Sequence, residues 1–211
     1  MCASLANELT EFNFAAILPP AKERVPEKEH EKRLAFMMDR DKKWPEDEVR
    51  PLALDRIDER LHRYRLAQPK LEKSMAQSLE RYGQVSPIVI CVHDDDYVLI
   101  DGFKRLSAAR KLKGISRLKA RRMEVDQQGA KAAIYTLNRI SGRPLELEES
   151  WIVHALVRED GLSQVEAAQL LGRHKSWVNR RLALLERLCD AAREELRLGL
   201  LTPAMARQLT R

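Results

Sequence analysis

Aromatic side chains make up only 5% of the 211 residues. A core must therefore be built from Leu, Ala, Val and Ile, a composition that leans toward helix. Cysteine is scarce too: Cys2, Cys91 and Cys189 are far apart and odd in number, with no C-x-x-C and no histidine at ligand spacing. That excludes a disulfide framework and a zinc site and points to reduced thiols in a cytosolic protein. His30, His62, His93, His154 and His174 are likewise scattered. Long apolar runs are missing as well. FAAILPP (14–20) is too short to span a bilayer, and the opening MCASLANELTEF carries acids where a secretion signal carries cations. Secretion and membrane insertion are excluded on these grounds, which leaves a cytoplasmic protein.

Charge is abundant. Lys and Arg number 38 against 32 Asp and Glu, a formal charge of +6 with pI near 9.3, which suits either a polyanionic partner or a well-solvated basic surface. From Ala21 to Pro51 dense charge of both signs alternates with proline. Such a stretch buries little apolar surface, so residues 1–51 read as a charged flexible arm, with one helical turn around Leu34–Met38. The arm is either a plain linker or a partner-binding segment.

Order is expected from Leu52. LEKSMAQSLERYG (71–83) places Leu71, Met75, Leu79 and Tyr82 on one helical stripe and ends on a glycine. PIVICV (87–92) and YVLI (97–100) are β-rich runs separated by HDDD, read as a polar turn rather than a metal site. In DGFKRLSAARKLKG (101–114) a glycine follows a strand and opens a helix. Free amides at Gly102 with Lys104, Arg105 and Arg110 make an anion seat. A third strand is expected at 117–125 and a helix over 131–140, before SGRP (141–144) breaks the chain.

Beyond Pro144 the pattern is helical throughout. LELEESWIVHALVRED (145–160) aligns Leu147, Trp151, Ala155 and Leu156, and Gly161 ends it. In GLSQVEAAQLLG (161–172) Ser163 and Glu166 have the spacing of a capping box ahead of Val165, Ala168 and Leu171. HKSWVNRRLALLERL (174–188) follows at once, and short helices are expected at 191–199 and 202–209. A capped helix, a glycine turn and a cationic helix fit the helix-turn-helix DNA reader, here at about 163–185, with the plain αα-hairpin as the alternative. Val178, Leu182 and Leu185 fall on the inner stripe, and Trp177 is expected to pack. Lys175, Ser176, Asn179 and Arg180 fall opposite, where they can address base edges. Arg173, Arg181 and Arg187 are the candidates for phosphate.

With both halves read, the chain resembles the ParB-type partition proteins of plasmids and chromosomes, from about Leu54 to the C-terminus. LEKSMAQSLERYGQVSPIVICV, YVLIDGFKRLSAARKL, GLSQVEAAQLLGRHKSWVNRRLALLERL and LGLLTPAMARQL stand in the family's order. The resemblance implies an α+β protein: a small ParB/sulfiredoxin-like mixed α/β domain at 52–143, then an all-helical helix-turn-helix domain at 144–211. It implies double-stranded DNA as partner, CTP with Mg2+ as cofactor, held by Gly102, Lys104, Arg105 and Asn138, and a ParA-type ATPase captured by the arm. The motif departs from the family where Gly-Glu-Arg-Arg-x-Arg is usual and Gly102 to Ser107 read GFKRLS. In the later Glu-Asn-x-x-Arg element only Asn138 is kept, with Leu137 and Ser141 at the charged positions. Each lost contact to phosphate is worth about 1.5–3 kcal/mol, which weakens the case for hydrolysis. Phe103 stands where a sulfiredoxin would carry its cysteine, and no carboxylate or histidine cluster supports a nuclease, so no catalytic residue and no metal ligand is assigned.

Three functions follow. The first is a site-specific DNA-binding protein, a nucleoid- or plasmid-associated homodimer acting in partition or as a repressor. The second is a CTP-dependent nucleotide switch or hydrolase with a degenerate motif, and the third an adaptor for a ParA-type ATPase. After LTPAMARQL little chain is left for the dimerisation domain usual in the family, so a palindromic site would require dimerisation elsewhere.

Overall fold

The computed structural model describes residue 44, residues 48–141 and residues 146–210. These belong to the second of two units, Trp44–Arg211. Most of the arm, including the turn at Leu34–Met38, lies outside the described residues, as do 142–144 of the break after the third expected helix and residue 145 after it.

The sheet forms where apolar β-rich residues cluster. β1 (Val49–Ala53), β2 (Ile57–Asp58), β3 (Ile88–His93), β4 (Asp96–Asp101) and β5 (Arg117–Arg122) lie in the order β1-β5-β3-β4-β2. β3 sits at the centre, and Ile88 through Cys91 are buried, as a strand covered on both faces requires. It pairs antiparallel with β4 and parallel with β5. The β3–β4 turn places Asp94 and Asp95 at φ of 49° and 66°. Two successive left-handed residues give the twist a tight hairpin needs, and Asp tolerates that region better than most, so Asp94 and Asp95 are turn residues as expected, while Asp96 opens β4 and pairs with Arg60.

β5 alternates buried Leu118 and Ala120 with exposed Arg117 and Lys119, so one face is solvated. It ends at Arg122, short of the expected Val125. β1 and β2 had no sequence signal. β1 opens at Val49, ahead of Leu52, and pairs antiparallel with β5 despite Pro51, which an edge strand tolerates. Trp44, inside the stretch read as arm, is buried and stacks edge-on against Tyr97. β2 contributes only Ile57 and Asp58, parallel to β4.

α1 (Pro69–Tyr82) begins on a proline and stops at Gly83, φ 67°. Its buried stripe keeps Met75 and Leu79 as expected and adds Ala76, but the ends differ: Leu71 is 51% and Tyr82 68% exposed. The helix is turned toward α2 (Phe103–Lys111), to which Glu72 is tied through Ser107 and Lys111, both at 2.8 Å. α3 (Gln127–Ser141) starts four residues before the expected Lys131.

The second half is helical as read. α4 (Glu146–His154) continues as a π-helical turn over Ala155–Glu159, and Gly161 at φ 75° ends it. α5 (Gln164–Leu170) has the capping box: Ser163 Oγ accepts from Glu166 N at 3.2 Å and Glu166 Oε2 accepts from Ser163 N at 2.8 Å. Of the apolar residues after the cap, Ala168 and Leu171 are buried together with Ala167, while Val165 is 46% exposed. α6 (Lys175–Glu186), α7 (Asp190–Leu198) and α8 (Pro203–Leu209) follow.

One apolar core runs from Trp44 through the sheet and on to Val178 and Leu182 of α6, continuous across the boundary drawn at 143/144. A second joins Leu147 and Leu184 to Leu188, Leu196, Leu201 and Ala206 of the last helices. The two halves are also pinned by charge. Lys131 of α3, 0% exposed, donates to both oxygens of Asp160 at 2.5 and 2.6 Å. Removing one member of a buried pair strands the other without water, so Asp160→Ala is expected to lower unfolding stability by about 3–5 kcal/mol, while Lys131→Met with Asp160→Leu recovers most of it, read by urea denaturation.

Candidate anion cleft and nucleic-acid interface

The first site forms where β4 hands the chain to α2. Gly102 adopts φ 106°, ψ 17°. A Cβ there would meet Ile88 Cγ2 at 2.5 Å on the central strand, so both the left-handed backbone and the close approach require glycine. The turn delivers Phe103, Lys104 and Arg105 to a cleft of about 260 Å3, walled also by His62, Arg65, Glu72, Met75 and Asn138.

The cleft's cations differ in what holds them. Arg105 Nη1 donates to the carbonyls of Ser86 and Pro87, at 3.1 and 2.5 Å, and Nη2 faces Asp101 at 3.4 Å. Its guanidinium is thus engaged with the chain itself. Arg65 donates to Glu148 at 2.8 Å. Burial, and then the Arg65 charge, hold the Lys104 ammonium below the usual lysine range, because a cation in a confined site beside another cation loses both solvation and favourable field. Asn138 donates to Ile134 O at 2.6 Å. Arg110, expected at this anion seat, points elsewhere and pairs with Glu59. Phe103 is buried and stacks on His62 at 5.6 Å.

The donor set suits an anion better than a metal. Among the described residues no three His, Cys, Asp or Glu side chains gather to hold a cation. The amide end of α2 with Lys104 offers a seat for phosphate. At about 260 Å3 the cleft is close to the roughly 300 Å3 at which small-molecule pockets begin. Cys91 is buried on β3, outside the cleft's lining, and burial pushes its thiol up to about 11, the state of an inert packed cysteine.

The second site forms at the turn between α5 and α6. Gly172 at φ 59° and the bond from Arg173 N to Ala168 O, 2.8 Å, close the first helix. His174 caps the second, its Nδ1 accepting from Ser176 N at 3.2 Å. Val178 and Leu182 are buried and Leu185 is half-buried, as the stripe required. Trp177 packs against Tyr135 of α3, centroids 5.5 Å apart. Lys175, Ser176, Asn179 and Arg180 are exposed together at the start of α6.

The three arginines read as phosphate contacts are placed differently. Arg181 is 8% exposed, donates to Glu149 at 2.6 Å and to Glu146 at 3.3 Å, and lies 5.1 Å from the Trp177 ring. It is an internal ion pair, a correction that follows from its position beside Leu182 on the packed face. Arg173 bonds Tyr135 Oη and lies 5.2 Å from the Trp177 ring, so its charge faces α3 first. Arg187 stays exposed while donating to Thr210 O at 3.0 Å. A groove of about 720 Å3 runs beside it, where Asn179, Arg180 and Arg187 face Arg207 and Gln208 of α8. Nothing local in the sequence marked those last two. Glu148 and Glu149 were missed as well, since acids in a first helical turn ordinarily face water. Both are buried here, and burial pushes the Glu149 carboxyl up while Arg181 draws it back.

Residues 38–138 match the ParB N-terminal domain. The chain is 32% identical over 161 residues to the chromosome-partitioning protein Spo0J of Thermus thermophilus, covering 75% of this chain and 58% of that one. It is 31% identical over 126 residues to the probable chromosome-partitioning protein ParB of Xylella fastidiosa, covering 59% of this chain and 40% of the relative. It thus spans about half the length of the curated relatives it matches. The C-terminally truncated ParB of Caulobacter crescentus complexed to the centromeric parS site aligns at 21% identity and TM-score 0.48, over 76% of this chain and 84% of that one.

Gly102→Ala tests the cleft's construction. The clash with the buried Ile88 and the left-handed backbone are expected to lower stability by about 1–3 kcal/mol, and in an Ile88→Ala background, compared with Ile88→Ala alone, the cost of Gly102→Ala should shrink by the steric part only, measured by thermal unfolding.

Proposed function

We propose that the chain is a ParB-type protein, on the match of residues 38–138 to the ParB N-terminal domain, and that it is a site-specific double-stranded DNA-binding protein acting in partition. The observation that carries this reading is the start of α6, where Lys175, Ser176, Asn179 and Arg180 are exposed on one side while Val178 and Leu182 anchor the other. A capped α5 braces α6 across a tight turn, the arrangement of a helix-turn-helix. Asn179 offers the paired donor and acceptor that match adenine, and Arg180 the fork that matches guanine. Lys175 supplies charge for phosphate, and so do the exposed part of Arg187 and the rim of the α6–α8 groove. Reading an inverted repeat requires two copies, so the acting form is a homodimer, in the cytoplasm on nucleoid or plasmid. A repressor role uses the same reader, and capture of a ParA-type ATPase by the N-terminal arm would add movement.

The cleft favours a second, compatible activity. Lys104 and the amides that open α2 would hold the phosphates of CTP, and bound Mg2+ would supply the remaining charge neutralisation. The engaged Arg105 and the buried Phe103 argue for binding rather than turnover.

Selection of bound duplexes from a random pool at physiological salt, with and without CTP and Mg2+, tests both. A discrete inverted-repeat motif is expected. Asn179→Ala and Arg180→Ala should each relax one base position by about 1–3 kcal/mol, while Lys175→Gln weakens all sequences alike and lowers the salt slope by about 1. Recovery of no motif under either condition overturns the DNA reading. Calorimetric silence toward CTP overturns the nucleotide reading alone.

A further inference from the structure

α4 carries acids that are tied to separate parts of the molecule. Glu148 accepts from Arg65 Nη1 at 2.8 Å and from Leu66 N at 2.7 Å, at the rim of the cleft. The adjacent Glu149 accepts from Arg181 Nε at 2.6 Å. Glu146 accepts from Arg181 Nη1 at 3.3 Å and from Arg207 of α8. Glu148, Glu149 and Arg181 are all buried.

Arg181 stands one residue beyond Arg180 and two beyond Asn179. At 3.6 residues per turn, fixing its direction fixes theirs. The apolar contacts of Val178 and Leu182 hold that face inward but define its angle less sharply, because hydrophobic burial is non-directional. Charge-assisted bonds from a planar guanidinium to two carboxylates are directional. The Trp177 ring closes a further side of the same guanidinium at 5.1 Å.

We infer that Glu149 and Arg181 are positioning residues for DNA reading: their buried ion pair sets the angle at which α6 presents Asn179 and Arg180, and Arg181 itself touches no phosphate. The inference rests on the proposed reading of α6 as the DNA-reading helix. Through Glu146, which Arg181 and Arg207 share, the same pair sets the spacing of α6 from α8 across the groove.

The test is competition binding of the full chain to the selected duplex and to a scrambled duplex of equal length, across a range of KCl concentrations. Glu149→Gln and Arg181→Met are each expected to weaken the selected duplex by roughly tenfold or more, the discrimination that one base contact carries, with scrambled binding and salt slope unchanged. The exchange Glu149→Arg with Arg181→Glu should restore most of the preference, which a general loss of packing would not allow. Arg181→Lys keeps the charge and loses the fork. It is expected to fall between wild type and Arg181→Met, and it carries the test where thermal unfolding finds the stronger variants unfolded at the assay temperature. An equal loss on both duplexes with a slope lowered by about 1 would make Arg181 a phosphate contact and overturn the inference. An intact preference in Glu149→Gln, or in Arg181→Lys where that variant stands in, overturns it too, leaving the DNA reading in place. A wild-type chain that selects no sequence removes the DNA reading and this inference with it.

Discussion

The buried carboxylates of α4 are the constraint on which the rest of the molecule turns. Glu148 and Glu149 sit where water does not reach, and an ionised carboxylate there is tolerable only if cations and amides meet it with good geometry. That demand reaches outward: Arg65 and Leu66 must stand at one place, Arg181 at another, and with Arg181 the whole of α6. Net stabilisation from such pairs is small because desolvation offsets attraction. What they supply is a strong penalty for any other arrangement.

Lys131 and Asp160 extend the same logic. Together with the Tyr135–Trp177 contact they join α3, which covers the sheet, to the helices around the turn between α5 and α6. The cleft and the exposed face of α6 are therefore built on one continuous core rather than on two that merely touch. Two glycines, one at the start of α2 and one between α5 and α6, do the local work. Gly102 lets a helix begin hard against the central strand, and Gly172 lets one helix end and another begin within a few residues.

Legibility followed the range of the interaction. The β3–β4 hairpin, the anion-seat glycine, the capping box and the exposed start of α6 were all readable because each depends on residues within a turn or two of one another. β1 was hidden by Pro51 and by the charge around it, since an edge strand needs neither an apolar run nor a full ladder. β2 was too short to have a period. The inward face of α1 was misjudged at its ends, where two overlapping stripes fit, one with Leu71 inside and one without. Only the neighbours chose between them.

The sequence by itself determined the α+β class, the helical second half, the capped helix, glycine turn and second helix at α5 and α6, and the motifs that resemble the ParB proteins, because periodicity, capping and glycine placement are local. Tertiary structure alone decided which cations are available. Lys175 and Arg180 face solvent while Arg105, Arg173 and Arg181 are spent inside the molecule. Whether a charge is free depends on partners such as Tyr135 and Glu149, 38 and 32 positions distant in the chain, and no pattern within a helix can announce a partner that folding brings from so far away.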